Sequence, residues 1–234
     1  MINKYVLQGA AKRQRIVIIG TGGLARELHQ VVEDINEVAP ESFEMIGWLD
    51  SDQSKHGLKI HDYPVLGDID WLTDRHEVQV VIGIGSPVTR RRIVQQLHVQ
   101  GHKAFARLIH PSAVLGNRVE IGEGVVICAG VVGTTDFKIG SHVLVNICAT
   151  LAHEDLIGDF VTIAPGANVS GNVSIGEGTD IGTNATLIQG VSVGEWSIVG
   201  AGAVVARSLP SNVTAVGAPA RPIKEREPGW HEVS

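Results

Sequence analysis

Residues 175–205 read IGEGTD-IGTNAT-LIQGVS-VGEWSI-VGAGAV-V when they are divided every six residues. The same register runs from Ile109 to Val205, where sixteen of the seventeen residues at every sixth position are aliphatic and Gly133 is the exception. Glycine often follows the aliphatic residue, and the fifth position of many hexads is small or aliphatic. The stretch is therefore a six-residue repeat.

Strand geometry explains such a period. Two or three extended residues form one side, a sharp corner follows, and three hexads close one triangular coil without any helix. Each aliphatic side chain then stacks on its counterpart one coil later, and the corners need glycine or another residue that tolerates a positive φ. An ordinary β-sandwich is the alternative, but chance spacing rarely gives so many matches in one phase. Charged residues are sparse over 109–210, as expected of a prism buried against copies of itself.

The preceding part of the chain follows a different pattern, in which strands alternate with helices. The first predicted strand ends at Gly20-Thr21-Gly22-Gly23, after which apolar residues recur at helical spacing. Ser86 and Pro87 are typical of the cap and first residue of a second helix. These elements predict a small Rossmann-like α/β domain with a crevice at the carboxyl ends of its strands. The predicted strands cover 15–19, 43–49, 78–84 and 103–108.

A length of 234 residues suits one large domain or two small ones, and the two patterns favour two. The predicted fold class is α/β plus all-β, with the α/β domain first and the repeat domain second. We expect four parts: an N-terminal arm over 1–14, the Rossmann-like domain over 15–108, the repeat domain over 109–220 and a polar tail over 221–234.

Composition argues against several classes of partner. Nineteen basic and 25 acidic residues give a net charge of −6, which disfavours nucleic acid and anionic membrane surfaces. No membrane insertion is expected, since no stretch has the roughly 18 uncharged apolar residues of a spanning helix. Two cysteines, Cys128 and Cys148, and a start without a signal-like apolar segment predict a reduced, cytoplasmic protein that uses its cysteines in packing. No cysteine and histidine spacing indicates a metal site.

The ends of the predicted strands carry candidates for binding a nucleotide. The turn over 20–25 has the pattern Gly-x-Gly-x-x-Ala, whose backbone N–H groups can hold a phosphate, although a turn used only for packing is the alternative. The two aspartates after the second strand either bind a ribose or base, or only cap a turn. The acidic residue expected about 20 positions after a dinucleotide motif is not obvious. The candidates are Gly20, Gly22, Gly23, Asp50, Asp52 and Gly85.

Arg90, Arg91 and Arg92 follow at the start of the second predicted helix. Consecutive helical residues point in three directions, so at most two of these side chains can face a diphosphate. The preferred interpretation is a solvated helix face.

The repeat is interrupted by polar residues at Leu151-Ala152-His153-Glu154-Asp155. Stacking every three hexads puts His153 between Thr135 and Gly171 of the neighbouring coils. A histidine whose second nitrogen is held by a carboxylate is the usual general base, because one tautomer is then fixed. A lone surface histidine is the alternative, but the adjacent carboxylates favour a catalytic corner.

Together these residues resemble the left-handed β-helix (hexapeptide-repeat) acyltransferases. The α/β half narrows the resemblance to bacterial sugar O-/N-acyltransferases of the sialic acid O-acetyltransferase type, which include bacillosamine and perosamine N-acetyltransferases. The resemblance covers about residues 15–222. Besides the repeat and the His153-Glu154 corner, it is carried by Gly20-Thr21-Gly22-Gly23, Gly47-Trp48-Leu49-Asp50-Ser51-Asp52, Val65-Leu66-Gly67, Leu108-Ile109-His110-Pro111-Ser112-Ala113 and Val216-Gly217-Ala218-Pro219-Ala220.

The resemblance implies a homotrimer with active sites between subunits, acetyl-CoA as co-substrate along the prism, no metal, and the nucleotide of a sugar in the α/β crevice. His153 matches the catalytic base of the family and Glu154 the carboxylate that holds it. Asn146 matches a polar neighbour of the site, and Gly171 matches a backbone N–H donor near the thioester carbonyl.

Two positions depart from the family pattern. Thr162 stands where relatives commonly have a second histidine, nine residues after the base, and Leu24-Ala25 stands where the glycine turn often continues with His-Gly. Thr162 remains a candidate for the acetyl-CoA site. Arg221, near the end of the prism, is a candidate contact for the CoA phosphates, with a solvated tail as the alternative.

The predicted activity is N-acetylation of a nucleotide-linked 4-amino-4,6-dideoxy sugar in bacterial surface-glycan biosynthesis. The transfer is direct: His153 accepts the proton of the attacking amine, and the Gly171 N–H meets the developing oxyanion. The alternatives are O-acetylation of a sialic-acid-type sugar and a non-catalytic trimeric scaffold that binds nucleotide sugars. An NAD-linked oxidoreductase is disfavoured, because the repeat region cannot supply the second nucleotide-binding half.

Overall fold

The structure is a computed structural model that describes residues 13–40 and 42–232. Most of the predicted arm over 1–14 lies outside the described residues, and Gln14 already belongs to the first strand. The two sequence patterns correspond to two different architectures, an α/β domain and a parallel β-helix, as predicted.

The α/β domain contains one five-stranded sheet and two α-helices. The elements are β1 (Gln14–Ile19), α1 (Gly23–Val38), β2 (Phe43–Leu49), β3 (Lys59–Ile60), β4 (Tyr63–Gly67), β5 (Gln79–Ile82) and α2 (Pro87–Val99), with short 3₁₀ helices at Gln53–Lys55 and Ile69–Leu72. The sheet order is β3-β4-β2-β1-β5, and every neighbouring pair is parallel except β3 and β4. The Ser86 hydroxyl accepts a hydrogen bond from the Thr89 N–H (3.3 Å), so α2 begins where the sequence predicts.

One predicted strand of this domain is wrong. Over 103–108 the structure has only an isolated bridge between Phe105 and Val80, and the chain then passes into the β-helix at Leu108–Ile109. The boundary predicted at residue 108 therefore falls inside a strand that pairs with the first coil. None of the helices in the described ranges has the length and apolar character needed to span a bilayer.

The β-helix is made of short strands that recur every six residues. They are β6 (Leu108–Ile109), β7 (Val114–Leu115), β8 (Glu120–Ile121), β9 (Val126–Ile127), β10 (Val132–Gly133), β11 (Lys138–Ile139), β12 (Leu144–Val145), β13 (Thr150–Leu151), β14 (Leu156–Ile157), β15 (Thr162–Ile163), β16 (Asn168–Val169), β17 (Ser174–Ile175), β18 (Asp180–Ile181), β19 (Thr186–Leu187), β20 (Ser192–Val193), β21 (Ile198–Val199), β22 (Val204–Val205), β23 (Val213–Val216) and β24 (Arg221–Glu225).

Three sheets form the sides of the prism. Face I contains β7, β10, β13, β16, β19 and β22; face II contains β8, β11, β14, β17 and β20; face III contains β6, β9, β12, β15, β18, β21, β23 and β24. Strands pair with a spacing of three hexads, as Val132 does with Thr150. The predicted coil of three hexads is confirmed.

Backbone geometry gives the glycines of the repeat two roles. The fourth residue of a hexad forms the corner with a positive φ, and this residue is glycine in some coils but Glu154 (φ 62°) or Asn172 (φ 57°) in others. The glycine after the aliphatic residue serves close stacking instead. A Cβ at Gly158 would lie 2.7 Å from the Glu177 nitrogen on the next coil, so this glycine is set by the spacing between coils.

The α/β domain packs against face III. Val126, Cys128 and Leu144 of that face share one buried cluster with Trp48 and other residues of the α/β domain. Cys128 is a packing residue as predicted, and burial raises the pKa of its thiol to about 12. Cys148 is not, because it lies at an exposed corner.

The residues predicted as a polar tail over 221–234 are structured as far as residue 232. Strand β24 pairs antiparallel with β23, and the chain then returns toward α2. The His231 ring stacks on Trp196 with centroids 3.7 Å apart, and Glu232 lies 3.5 Å from the Arg91 guanidinium. These contacts join the end of the described chain to both domains.

Candidate active site

His153 lies at the corner between faces I and II, in the turn from β13 to β14. Its Nδ1 lies 3.2 Å from Glu154 Oε2, and both side chains are open to solvent, with exposed fractions of 49% and 67%. This contact leaves Nε2 free to face a ligand. The corner thus presents an imidazole whose second nitrogen is paired with a carboxylate.

Gly171 lies beneath the His153 ring, one coil later. A Cβ at position 171 would stand 2.4 Å from both Cε1 and Nε2 of His153, so any other residue would displace the ring. The Gly171 N–H also has no backbone acceptor within the described chain. The sequence prediction that these two residues stack is confirmed, and the glycine is required for close approach.

Asp155, which completes the polar interruption, points the opposite way from its neighbours. It is fully buried, and its carboxylate accepts hydrogen bonds from the Ala152 and Val173 N–H groups (2.8 and 3.0 Å). Burial raises the pKa of Asp155 to about 6, although these bonds and the nearby His153 oppose the shift. Asp155 entered the sequence prediction only as a neighbour of His153, but its fifth position in the hexad is a signal that could have placed it inside the prism.

Asn146 and Thr162 lie elsewhere on the coil. Asn146 follows β12 at the next corner, where its side-chain carbonyl accepts a hydrogen bond from the Ile147 N–H (2.7 Å). Thr162 is only 7% exposed, and its hydroxyl donates to the Gly85 carbonyl (2.8 Å) in the contact between domains. The side chain at the position of the second family histidine therefore faces the α/β domain.

Arg90 organises the contact between the domains, and the prediction of a solvated face is wrong for this residue. It is 3% exposed and donates to carbonyl oxygens of Ile84 and Gly85 beside the crevice. Burial lowers its pKa to about 10, while Asp180 opposes that shift. On the β-helix it donates to the carbonyl oxygens of His142, Phe160 and Val161 and to the Thr162 hydroxyl, at 2.7–3.1 Å.

Helical spacing offered a signal for this placement. Pro87, Arg90, Val94 and Leu97 are the buried residues of α2 and share one face. The other two arginines point elsewhere: Arg91 lies 3.5 Å from Glu177, and Arg92 lines the crevice. The three directions expected for consecutive residues are thus observed, with one side chain buried.

A crevice of about 530 Å³ opens at the carboxyl ends of β1 and β2. Gly20, Thr21, Gly22, Asp50 and Arg92 are among the residues that line it. Gly22 is the N-cap of α1 and makes no side-chain hydrogen bond, so it does not cap the N–H groups of the first turn. The volume lies within the range of small-molecule sites.

Asp50 holds a polar cluster at this crevice. Its carboxylate accepts hydrogen bonds from the Thr21 hydroxyl, the Asp52 N–H and the Lys55 ammonium. Burial alone would raise the pKa of Asp50, but the bonds from these groups lower it overall. Asp52 caps the short helix at Gln53–Lys55 by accepting from the Ser54 N–H (3.0 Å), so the alternative of a turn cap describes it.

The remaining candidates are dispersed. Gly23 begins α1, and Gly85 carries the carbonyl that Thr162 and Arg90 share. Arg221 begins β24 at the C-terminal end of the prism, where its guanidinium donates to the Ala220 carbonyl (3.4 Å). The structure therefore forms two sites, the His153 corner and the α/β crevice. Arg92, which was predicted to lie on a solvated helix face, lines the crevice, and so does Thr21, which was part of the glycine turn but not among the candidates.

Comparisons with known proteins identify relatives of both the α/β domain and the repeat domain. The family model of the PglD N-terminal domain matches residues 15–97, and that of the hexapeptide repeat of succinyl-transferase matches 172–207. A GDP-perosamine N-acetyltransferase of Escherichia coli O157:H7 is 33% identical over 92 residues. That aligned stretch spans 39% of this chain and 41% of the relative's length.

Solved structures match over nearly the whole chain. PerB from Caulobacter crescentus, in complex with CoA and GDP-perosamine, is 33% identical with a TM-score of 0.79, over 89% of this chain and 97% of that one. The acetyltransferase domain of PglB from Neisseria gonorrhoeae FA1090 is 30% identical with a TM-score of 0.79, over 90% of this chain and 100% of that one. The chain therefore belongs to the left-handed β-helix (hexapeptide-repeat) sugar acyltransferases, in the family that includes the perosamine N-acetyltransferases.

Proposed function

We propose that this acyltransferase transfers an acetyl group from acetyl-CoA to the amine of a nucleotide-linked 4-amino-4,6-dideoxy sugar. The observation that carries the proposal is the open His153 ring, paired with Glu154 through Nδ1 and stacked on Gly171. An imidazole in this arrangement is suited to take a proton from an incoming nucleophile. The CoA and GDP-perosamine bound by PerB support the choice of substrates.

In the proposed reaction the sugar amine attacks the thioester carbonyl directly. His153 Nε2 accepts the proton that the nitrogen loses as the C–N bond forms, and the thiolate of CoA leaves. Glu154 stabilises the resulting imidazolium and holds its orientation. The Gly171 N–H donates to the oxyanion of the tetrahedral intermediate, a role in which losing one donor typically costs about 10²–10³ in rate.

The α/β crevice is the proposed nucleotide site. A diphosphate placed at the N-terminus of α1 would meet the N–H groups of its first turn, and Arg92, which also lines the crevice, carries a compensating positive charge. Asp50 and Lys55 provide a fixed polar surface for the ribose or base. A nucleotide site in the α/β domain favours an acceptor sugar that is linked to a nucleotide.

We further propose a homotrimer in which neighbouring prisms meet beside the His153 corner. Face I adjoins that corner, and its outward residues carry no charge, whereas face II presents Glu120 and Lys138. An uncharged side that runs the length of the prism suits contact with a second copy. The outward residues of face I are Val114, Val132, Thr150, Asn168, Thr186 and Val204.

The experiment is an assay of free thiol released from acetyl-CoA. The acceptors are UDP-, GDP- and dTDP-linked 4-amino-4,6-dideoxy sugars, beside free and CMP-linked sialic acid. We expect release with one amino sugar and a loss of about 10²–10⁴-fold in His153→Ala. His76→Ala is the matched control, since His76 is an exposed histidine of the other domain.

The outcomes separate the candidate functions. Release with sialic acid alone would replace N-acetylation by O-acetylation. No release with any acceptor, together with binding of a nucleotide sugar, would favour the scaffold. Unchanged release in His153→Ala would remove that residue from the role of base.

A further inference from the structure

Asp155 stands out because its position inside the prism is otherwise apolar. It occupies the fifth place of its hexad, whose side chain points inward, between Phe137 one coil earlier and Val173 one coil later. Both neighbours are fully buried members of the hydrophobic core. A carboxylate buried among such residues is costly unless its oxygens are satisfied by hydrogen bonds.

The hydrogen bonds of Asp155 join the two residues of the proposed catalytic corner. Oδ2 accepts from the N–H of Ala152, which directly precedes His153, and Oδ1 accepts from the N–H of Val173, two residues after Gly171. One carboxylate therefore ties the turn that carries the base to the turn that carries the N–H donor.

Elsewhere in the prism, neutral hydroxyl groups accept hydrogen bonds from inward N–H groups of the next coil. Thr179 and Ser197 also occupy inward fifth positions, and the Thr179 hydroxyl accepts from the Ser197 N–H one coil later (3.3 Å). The Ser197 hydroxyl accepts in the same way from the Val213 N–H (3.2 Å). A neutral hydroxyl thus suffices to pair an inward N–H of the next coil. Asp155 differs from these two residues in its second oxygen, Oδ2, which also accepts from the Ala152 N–H in the turn that carries His153.

We propose that Asp155 is a positioning residue for acyl transfer, whose carboxylate fixes the His153 turn over Gly171 from inside the prism. The inference rests on the proposed acetyl transfer. Asp155 touches no substrate and acts through His153, because an error of about 1 Å in the placement of a reacting group can reduce the rate 10²-fold. The pKa of Asp155 is raised by burial, so the ionised form of this carboxylate is less favourable here than in water.

The primary variant is Asp155→Asn, which keeps the size of the side chain. Its carbonyl oxygen can accept one of the two N–H bonds, but its NH₂ group cannot accept the other. We expect kcat to fall about 10- to 100-fold, with KM for acetyl-CoA within about twofold of wild type. Asp155→Ser copies the inward serine of position 197, restores only the bond to Val173, and should show a similar loss.

Thr179→Val is the matched control. It removes an inward hydrogen-bonding side chain at another corner, leaving the Ser197 N–H and the Gly194 carbonyl without this partner. We expect it to lower thermal stability but to leave kcat of the folded protein at the wild-type value.

A double-variant comparison separates positioning from general damage. If Asp155 acts through His153, Asp155→Asn should cause no further loss of the residual rate in a His153→Ala background. An equal fold-loss in both backgrounds, or wild-type kcat in folded Asp155→Asn, would overturn the inference. Where Asp155→Asn does not fold, Asp155→Ser takes its place in both comparisons. A wild-type protein that is itself inactive would instead overturn the proposed function, and the inference with it.

Discussion

His153 and Thr162 lie nine residues apart on one coil of the β-helix, but their surroundings are opposite. His153 is half-exposed at a bare corner and has one side-chain partner, Glu154. Thr162 is buried under the α/β domain and shares hydrogen bonds with Arg90 and Gly85. In the sequence both are polar residues of the same repeat. The packing of the α/β domain therefore decides which of them is buried in the contact between domains and which stays exposed.

The two regions also satisfy polar groups differently. Around Arg90 a buried cation is balanced by carbonyl oxygens and one hydroxyl, all from the protein. At the His153 corner the ring has an unused nitrogen and the Gly171 N–H has no backbone acceptor in the part of the chain described. A region with all its hydrogen bonds made contributes stability, whereas a region with unused donors and acceptors is prepared for binding.

The largest expected effect is a loss of stability on removing Arg90 from the contact between the two domains. Arg90→Met keeps the length of the side chain but leaves several buried oxygens without a donor. We expect the free energy of unfolding in urea to fall by about 3 kcal/mol or more. Arg92→Met, on the same helix with an exposed side chain, should change it by no more than about 0.5 kcal/mol. Equal effects of the two variants would show that the buried arginine is not the main link.

We expect low pH to destabilise the same contact between domains. His142 stacks on Phe160 and is buried, and burial lowers its pKa to about 4 from an ordinary value of 6.5. Between these values the unfolded chain binds a proton that the folded chain does not, so stability falls as pH falls from 6.5 toward 4. The full contribution is about 3 kcal/mol for a shift of this size.

The variant His142→Phe isolates this effect, because it keeps a ring against Phe160 and removes the titration. Urea unfolding of both proteins between pH 7 and pH 4.5 should show the wild type losing more stability. Asp155 titrates alike in both proteins, so its opposite pH dependence cancels in the difference. A constant difference across this range would contradict the prediction.

At the exposed His153 corner, we expect Gly171→Ala to lower activity without changing the stability of the fold. The new Cβ would collide with the His153 ring, which is free to swing into solvent. We expect about a 10²-fold loss of kcat in the thiol assay, with unfolding in urea nearly unchanged. Retained activity would mean that the observed stacking of ring on glycine is not the productive arrangement.

The smallest expected effect is that of Glu154→Gln. The amide oxygen can still accept from His153 Nδ1, but the negative charge that favours the imidazolium is lost. We expect kcat to fall about tenfold, with KM for acetyl-CoA unchanged. A loss as large as that of His153→Ala would indicate that Glu154 itself contacts the substrate.

The repeat domain was predictable because its information is local and periodic. A spacing of three hexads identified the stacking of His153 on Gly171 directly from residue numbers. Even the exception at Gly133 has a local cause, since the Phe137 ring lies where an aliphatic side chain would stand. The same rule places Asp155 in an inward position, so its burial was available from the sequence.

The contact between domains was not predictable in this way. The carbonyl groups that hold Arg90 on the β-helix lie 52 to 71 residues further along the chain, and backbone carbonyls leave no mark in a sequence. Two further features depended on distant packing in the same manner: the return of His231 to Trp196 and the burial of Thr162. Local motifs identified the candidate corner, while tertiary contacts determined what surrounds it.

The coil of three hexads makes length itself a constraint on this chain. An insertion or deletion of three whole hexads within the prism adds or removes one complete turn and leaves every column aligned, as in other solenoids. Any other change has to be looped out at a corner, because one or two hexads would move every later residue to a different face, and a change that is not a multiple of six would also exchange interior and surface positions. The distance between His153 and Gly171 is therefore protected against gradual drift, and the prism can grow or shrink only in whole turns.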